Sequence, residues 1–323
     1  MRRIAVLTSG GDAPGMNAAI RAVVRAAVAS GQEVLGVQHG YTGLIAGDFR
    51  RLQPRDVGGI IDRGGTVLGT TRCEALKSPA GQSDALRRMQ EHAIDALVVI
   101  GGNGSQSGAA ALTRLGARVV GVASTIDNDL VGTDMSIGAT TALDIAVQAI
   151  DRLRVTAASH KRAFLVEVMG RNTGFLALLA GVAGGAEAIV LPEAELSPEA
   201  LAQEIRSAYA RGKSHAIVVV AEGARHNAEG MAQYFREHAE RLGFDLRITR
   251  LGHIQRGGAP GVFDRIMATR LGAAAVGELN RNGHGVLLGI LDGRVTASPY
   301  TQVVNAVKPF DRELFELAGV LAR

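Results

Sequence analysis

Tryptophan is absent from the 323 residues, aromatic side chains make up only 4% of them, and cysteine occurs once, at Cys73. A single thiol excludes a disulfide or a cysteine-built zinc site within one chain, which fits a reducing compartment. The eight histidines include no HExxH pair, which argues against a protein-built zinc site. No uncharged apolar run reaches bilayer length: the longest, about residues 174–186, is broken by glycine and stops at Glu187. The chain opens on a strand pattern rather than a signal peptide, so a soluble, cytoplasmic protein is expected. Lysine is scarce, standing only at positions 77, 161, 213 and 308, so arginine carries nearly all of the positive charge behind the net +4. Dispersed guanidinium forks match phosphate geometry and suit small phosphorylated ligands. No basic block interleaved with aromatics is present, which argues against nucleic acid as a partner.

What the chain has instead is glycine, 42 residues of it, within a composition that is 47% apolar. Its length exceeds the usual single core, so two domains are expected, and the apolar content suffices to bury both. Strand-like runs span 4–7, 34–37, 96–100, 119–123, 164–168, 188–191, 216–221 and 286–291, with helix-like runs between them. That alternation predicts an α/β fold of parallel sheets with crossover helices. After the first strand, Ile20, Val23, Val24, Ala27 and Val28 share one helical face while Arg21 and Arg25 lie one turn apart on another. A second helix is expected over about Thr140 to Leu153. The change of domain is placed just before it, at the segment holding Gly132 and Gly138.

The glycines cluster where strands end. Gly10-Gly11-Asp12-Ala13-Pro14-Gly15 follows the first strand, and Gly101-Gly102-Asn103-Gly104-Ser105 follows a later one, running on to Gly108. Gly10, Gly11 and Gly104 can bring backbone N–H groups close to phosphate oxygens because no side chain obstructs the approach. Neither turn matches GxxxxGK[ST] or GxGxxG, and taken alone either is as well explained by a tight turn. Two such turns ahead of amphipathic helices favour phosphate binding. Ser124-Thr125-Ile126-Asp127-Asn128-Asp129 follows another strand and brings two carboxylates to the sheet's carboxyl edge, where open α/β sheets do their chemistry. Two residues apart in extended chain, Asp127 and Asp129 would point to one side, one as a base and one holding a metal-bound water. Their alternative role is local capping of turns. Arginine-bearing turns complete the set: Arg72; Arg171 ahead of an apolar helix; and residues 247–258, which pack cations and glycines too densely for an ordinary surface loop. A cradle for anions, cations for a migrating group and a carboxylate base are what phosphoryl transfer requires.

The motifs LTSGGDAPGMNAAIR, IIDRGGTVLGTTR, TIDND, VEVMGR and LGHIQRGG, in this order and spacing, resemble bacterial ATP-dependent 6-phosphofructokinases over essentially the whole chain. The resemblance implies an α/β fold of two Rossmann-like lobes, each a mainly parallel sheet flanked by helices, with the active site in the cleft between them. Residues 1–138 with 256–305 would form the ATP-binding lobe, and 139–255 with 306–323 the sugar-phosphate lobe. It implies transfer of the γ-phosphate of ATP to the 1-hydroxyl of fructose 6-phosphate, with Mg²⁺. Asp127 would be the base, beside Thr125 and Asp129, and Arg171 would stabilise the migrating phosphoryl group. Met169, Gly170, Glu222, His253 and Arg256 would hold the sugar phosphate, with Arg162 and Arg247 reaching it from a neighbouring subunit of a homotetramer. ATP would lie along Gly11, Tyr41, Arg72, Cys73 and the turn with Gly102, Asn103, Gly104, Ser105 and Gly108. Arg21, Arg25, Arg154, Gly185, Glu187, Arg211 and Lys213 would bind a nucleoside diphosphate or phosphoenolpyruvate effector.

Departures from the family pattern sharpen these expectations. The second turn normally reads GGDGS, its Asp serving the metal, and this chain has Asn103; with Asp129 it would be a metal ligand of lower charge, so Mg²⁺ should be held less tightly. Pyrophosphate-using relatives typically carry Asp where this chain has Gly104 and Lys where it has Ser124, so ATP is the expected donor. At the effector site Pro54 stands where Arg is common and Gly59 replaces an acid, which implies altered or weakened regulation. A pyrophosphate-dependent enzyme and a weakly active or non-catalytic sugar-phosphate sensor are the alternative readings. A nicotinamide dehydrogenase is disfavoured by the missing GxGxxG.

Overall fold

The computed structural model describes residues 1–160, 162–244 and 246–322. Its strands are β1 (Arg3–Ser9), β2 (Glu33–Val37), β3 (Phe49–Leu52), β4 (Ala96–Gly101), β5 (Val119–Ala123), β6 (Ala163–Val168), β7 (Ala188–Val190), β8 (Ala216–Ala221), β9 (Leu246–Arg250), β10 (Val286–Leu291) and β11 (Arg294–Pro299). The chain divides into two compact units, Met1–Thr141 with Arg256–Lys308, and Ala142–Gln255 with Pro309–Arg323.

In the first unit the described strands form one sheet in the order β11-β10-β5-β4-β1-β2-β3. Pairing is parallel from β10 through β2, and antiparallel only where β3 and β11 close the two edges. Every residue of β4 (ALVVIG) and β5 (VVGVA) is buried, because a central parallel strand is covered on both faces and its sequence becomes one apolar run. Crossing from β1 to β2 on one side and to β4 on the other makes the β1/β4 boundary the point where strand order reverses. The helix Met16–Ala29 buries Ile20, Val23, Val24 and Ala27, the face read from the 3.6-residue spacing, together with its first turn. It packs on the helix Val262–Asn280 at Gly272, where a Cβ would lie 2.6 Å from the Ala19 carbonyl oxygen, so only glycine lets the two backbones approach this far.

The second unit has a smaller sheet, all parallel, in the order β7-β8-β6-β9 among the described strands. Its core gathers Leu165, Val190, Val218 and Val220 under Leu201, Ile205, Met231 and Phe235 of the covering helices. The chain is thus α/β with parallel sheets flanked by helices, and no helix among the described residues is long and apolar enough to cross a membrane.

Three strands lie where sequence periodicity gave none: β3, β9 and β11. All are edge strands, short or carrying charge, and edge position removes the need for a continuous apolar run. Within the segment 247–258, read from sequence as an arginine-bearing turn, Arg247 to Arg250 belong to β9 and Gly252–Arg256 is a 3₁₀ helix. The helix expected over Thr140 to Leu153 spans Ala139–His160.

One buried carboxylate fixes the start of that long helix. Asp264, 0% exposed in the first turn of Val262–Asn280, accepts from the Gly138 amide at 2.8 Å, the Thr141 amide at 2.9 Å and the Thr141 hydroxyl at 2.5 Å. Thr141 Oγ1 in turn accepts from the Gly261 amide at 2.9 Å, so each helix caps the other. A side chain satisfying orphan N–H groups at a buried helix end is costly to lose. Asp264→Ala is expected to lower unfolding stability by about 3 kcal/mol, with Asp264→Asn losing less because one acceptor oxygen survives. Urea denaturation midpoints measure both; a shift for Asp264→Ala within error of zero would show that the buried acceptor contributes nothing.

Candidate active site

β1, β4 and β5 are neighbours and they end level. Ser9 pairs with Gly101, Gly101 pairs with Ala123, and the Ser124 amide donates to the Gly101 carbonyl at 3.2 Å. The three segments that carry the sequence motifs, Gly10 to Gly15, Gly102 to Ser105 and Ser124 to Asp129, therefore leave the same edge of one sheet side by side. This is the carboxyl edge at the strand-order reversal.

Each turn exposes backbone N–H groups for a physical reason. The helix Asn103–Arg114 starts directly after Gly102, so the amides of Asn103, Gly104 and Ser105 are unsatisfied first-turn donors at the positive end of a helix. Gly104 is exposed and a Cβ there would meet nothing within 4 Å. At Gly11 the opposite holds: a Cβ would collide with the guanidinium of Arg256, whose Nη1 donates to the Asp12 carbonyl at 3.0 Å. Arg256, expected to hold sugar phosphate, thus lies on the first glycine turn of the first unit.

Tyr41 was expected along the nucleotide, and its place is interior. It is 3% exposed, donates its hydroxyl to the Ser105 carbonyl at 2.6 Å, and burial raises its pKa. Its ring braces the helix start beside Gly108 instead of forming an open platform. Ser105 is itself buried, Arg72 is exposed, and Cys73 is a half-buried free thiol packed on the same core.

The segment after β5 differs from the extended chain expected for it. Ile126 and Asp127 form a turn and Asn128 adopts φ 49°, so simple alternation does not govern how Asp127 and Asp129 point. Asparagine tolerates this left-handed conformation better than most residues, and here its amide is the reason the loop holds. Asn128, 1% exposed, accepts from the Ser136 amide at 2.8 Å and the Ser136 hydroxyl at 3.1 Å, and donates to the Asp134 carbonyl at 2.9 Å. The single Ser136 hydroxyl hydrogen is shared with the nearer Thr125 carbonyl at 2.6 Å, and Thr125 Oγ1 accepts from the Asp127 amide at 3.2 Å. Asp127 is 4% exposed at the centre of this network. The role of Asn128 was not read from sequence; an Asn between two acids signals a turn, and the turn's tightness was the missing information.

Asp129 is half-buried, and its Oδ1 has no hydrogen-bond partner among the described residues. Asn103 Nδ2 donates to the Asp129 backbone carbonyl at 3.3 Å, which leaves the amide oxygen of Asn103 for another partner. Two oxygens offered from adjacent segments, one of them an orphaned buried carboxylate oxygen, fit a hard divalent cation that takes most of its ligands from phosphates and water. No group of three or more His, Cys, Asp or Glu that could hold a metal occurs among the described residues, so this pair is not a self-sufficient metal cage.

The second unit brings together the other expected groups. After β6, Gly170 and Arg171 adopt positive φ, and Glu222 Oε1 accepts from both their amides, at 3.4 and 2.9 Å, holding the turn open with the Arg171 side chain exposed. The Met169 amide donates to Gln255 Oε1 at 2.8 Å; Gln255 is fully buried and was missed, although it stands inside LGHIQRGG next to exposed His253 and Ile254. Arg162 and Arg247 line one cavity of about 730 Å³ with His160 and Arg236. Glu187 pairs with Lys213 at 2.9 Å and accepts from the Ile217 amide at 2.6 Å, while Arg211 and Lys213 both donate to the Ala322 carbonyl. Arg154 brings a buried guanidinium nitrogen to 3.2 Å from where a Cβ of Gly185 would stand. In the first unit, Arg25 shares a cavity of about 650 Å³ with Pro54, Arg55 and Gly58, and Arg21 is half-buried one turn away on the same helix.

Comparison with known proteins agrees with the motif order. Residues 3–279 match the family model described as Phosphofructokinase. The chain is 49% identical over 322 residues to the ATP-dependent 6-phosphofructokinase of Halalkalibacterium halodurans, and 51% identical over 324 residues to ATP-dependent 6-phosphofructokinase 1 of Thermus thermophilus, each match covering 100% of both chains. Among solved structures it resembles Pichia pastoris phosphofructokinase in the T-state, with TM-score 0.87, 40% identity, and coverage of 93% of this chain and 35% of that one. The fold also matches a pyrophosphate-dependent phosphofructokinase from Marinobacter aquaeolei, at TM-score 0.87 and 20% identity over 98% of this chain and 91% of that one.

The Asn128 network generates a test of its own. Asn128→Ala removes three side-chain hydrogen bonds and places a Cβ-bearing residue without a compensating amide at positive φ, so a loss of about 2–4 kcal/mol is expected. Asn128→Gly relieves the backbone and keeps the hydrogen-bond loss, and should fall between. Denaturation midpoints for the pair measure this, and unchanged midpoints in both would remove Asn128 from the role of brace.

Proposed function

Because the chain belongs to the phosphofructokinase family, we propose that Asp127 is the base for its reaction, taking the proton from the 1-hydroxyl of D-fructose 6-phosphate. The reaction is transfer of the γ-phosphate of ATP to that hydroxyl, a step of glycolysis that gives fructose 1,6-bisphosphate and ADP. The C1 oxygen bonds to the γ-phosphorus, the bond from that phosphorus to the bridging oxygen breaks, and the electron pair leaves with ADP. A carboxylate is far too weak a base to ionise an alcohol beforehand, so the proton moves to Asp127 as the new P–O bond forms. The observation that carries this assignment is Asp127 itself: a buried carboxylate at the end of β5, one strand away from the glycine turn that ends β4.

The remaining residues take roles set by their chemistry. Amides of the helix start at Asn103, Gly104 and Ser105 and of the turn at Gly11 receive nucleotide phosphates. Thr125 holds the Asp127 amide, and the Arg171 guanidinium offsets charge on the migrating phosphoryl group. Asp129 and Asn103 would hold Mg²⁺, which when bound supplies neutralisation of phosphate charge. Gly104 and Ser124, small where a pyrophosphate user carries charge, favour ATP as donor. Met169, Gly170, Glu222, His253 and Arg256 are the groups proposed to bind the sugar phosphate. Arg162 and Arg247 serve the sugar phosphate of a neighbouring subunit in a homo-oligomer, which we infer to be a tetramer of the cytoplasm. The cations Arg21, Arg25, Arg154, Arg211 and Lys213, with Gly185 and Glu187, suit an anionic effector.

Two variants in a coupled ADP-release assay test the reading. Asp127→Ser should lower kcat by about three orders of magnitude or more, since an essential base and its positioning are both lost. Near-normal turnover in that variant would end the assignment. Asn103→Asp restores a full negative charge beside Asp129 and should lower the half-saturating Mg²⁺ concentration by about threefold or more. A Mg²⁺ titration that does not move would show that position 103 is not a ligand, and turnover with pyrophosphate equal to that with ATP would overturn the donor.

A further inference from the structure

The loop that carries Asp127 and Asp129 is held from inside by Asn128 and from outside by one cation. Lys308 Nζ donates to the Asp134 carbonyl at 2.8 Å, the same oxygen that accepts from Asn128 Nδ2 at 2.9 Å. A residue 174 positions away in sequence thereby closes the hydrogen-bond network in which Asp127 sits. Lys308 is also the last residue of the first unit before the chain passes to the second at Pro309. The side chain is half-buried and brings a compact ammonium to the Asp134 carbonyl.

The ammonium lies in a costly environment. Burial pushes its pKa down to about 8, against the pull of Asp134 and Asp129. Asp129 is the carboxylate whose Oδ1 lacks a hydrogen-bond partner among the described residues, and its neighbour across the turn is the uncharged Asn103. The loop that bears this carboxylate thus receives a positive charge at the Asp134 carbonyl, and an amide stands where a second negative charge is expected. A built-in cation weakens the attraction of Asp129 for a free divalent ion, and fixes the carbonyl on which the loop's shape depends.

We propose that Lys308 is a positioning residue for phosphoryl transfer, tying the loop of Asp127 and Asp129 through the Asp134 carbonyl and bringing a positive charge to that loop. The proposal rests on the roles given above to Asp127 and Asp129. It concerns a residue outside every motif that marks the family resemblance in this sequence.

Lys308→Gln and Lys308→Arg separate the bond from the charge, since glutamine keeps an N–H donor and loses the charge while arginine keeps both. Steady-state kinetics give kcat and both KM values, unfolding midpoints report the fold, and Mn²⁺ binding in the presence of ADP, followed by electron paramagnetic resonance, reports the site without turnover. Lys308→Gln should lower kcat by about tenfold to a hundredfold, because small misplacement of a catalytic group is that costly, with KM for fructose 6-phosphate nearly unchanged. It should bind Mn²⁺ about threefold more tightly, as removal of a neighbouring like charge requires. Lys308→Arg should restore both values to within about threefold of the parent. Unchanged kcat in Lys308→Gln, or Mn²⁺ affinity that stays at the parent value, overturns the proposal. If Lys308→Gln fails to fold, a folded Lys308→Arg protein with kcat reduced a hundredfold overturns it equally. Asp127→Ser run alongside distinguishes the two levels: an active Asp127→Ser protein defeats the catalytic assignment, whereas an inactive one beside a fully active Lys308→Gln protein defeats only the role of Lys308.

Discussion

Ser9, Gly101 and Ala123 end three neighbouring parallel strands at one level, and this register is what makes a site out of segments far apart in sequence. Parallel pairing with right-handed crossovers sends every connecting helix back over the sheet, so the carboxyl ends of β1, β4 and β5 all release their chains on one edge. The glycine turns and the loop of Asp127 are adjacent there because the strands beneath them are adjacent, whatever the turns themselves prefer. A slip of one residue between β4 and β5 would move every side chain of one strand to the opposite face. The continuous apolar sequences of those strands, buried on both sides, hold the pairing, and the Ser124 amide on the Gly101 carbonyl extends it into the loop.

Central strands were legible in the sequence for this same reason. β1, β4, β5, β6, β8 and β10 are covered on both faces and read as apolar runs, and the glycine turns that follow β1 and β4 announce their ends. β3 (FRRL), β9 (LRITR) and β11 (RVTASP) carry arginine or polar residues at sheet edges, where solvent takes one side and charge guards against further pairing. In residues 247–250 arginine density marked an arginine-bearing turn, whereas these cations lie on an edge strand. The motifs named candidate residues that periodicity could not, since a motif reports chemistry that propensity does not encode.

What sequence did not disclose was how the site is supported. Alternation in an extended chain assigned Asp127 and Asp129 to one side, but Asn128 at φ 49° replaces alternation by a turn, and the amide that permits this conformation also supplies the hydrogen bonds that stabilise it. Tyr41, Gln255 and Asp264 repeat the pattern. Each places a side-chain polar group on backbone of a motif or a helix end while the residue itself is buried. Such residues satisfy orphan backbone donors and acceptors where water is excluded, a requirement set by the three-dimensional arrangement and invisible in local sequence.

Asn103 couples the charge of this loop to its tethering. Its Nδ2 donates to the Asp129 carbonyl, which a carboxylate at that position could not do; an aspartate would instead face that carbonyl with like partial charge and turn away. The amide therefore exchanges one negative charge for a direct link between the first turn of the helix Asn103–Arg114 and the loop after β5. Lys308 acts on the same loop from the opposite end, through the Asp134 carbonyl, so the segment from Asp127 to Asp134 is held by an uncharged donor at one side and a charged one at the other. The Mg²⁺ site proposed at Asn103 and Asp129, with few negative charges of its own, would depend on the nucleotide phosphates to be completed. Metal and nucleotide are then expected to enter as a pair, because neither the charge nor the oxygen count suffices for the ion alone.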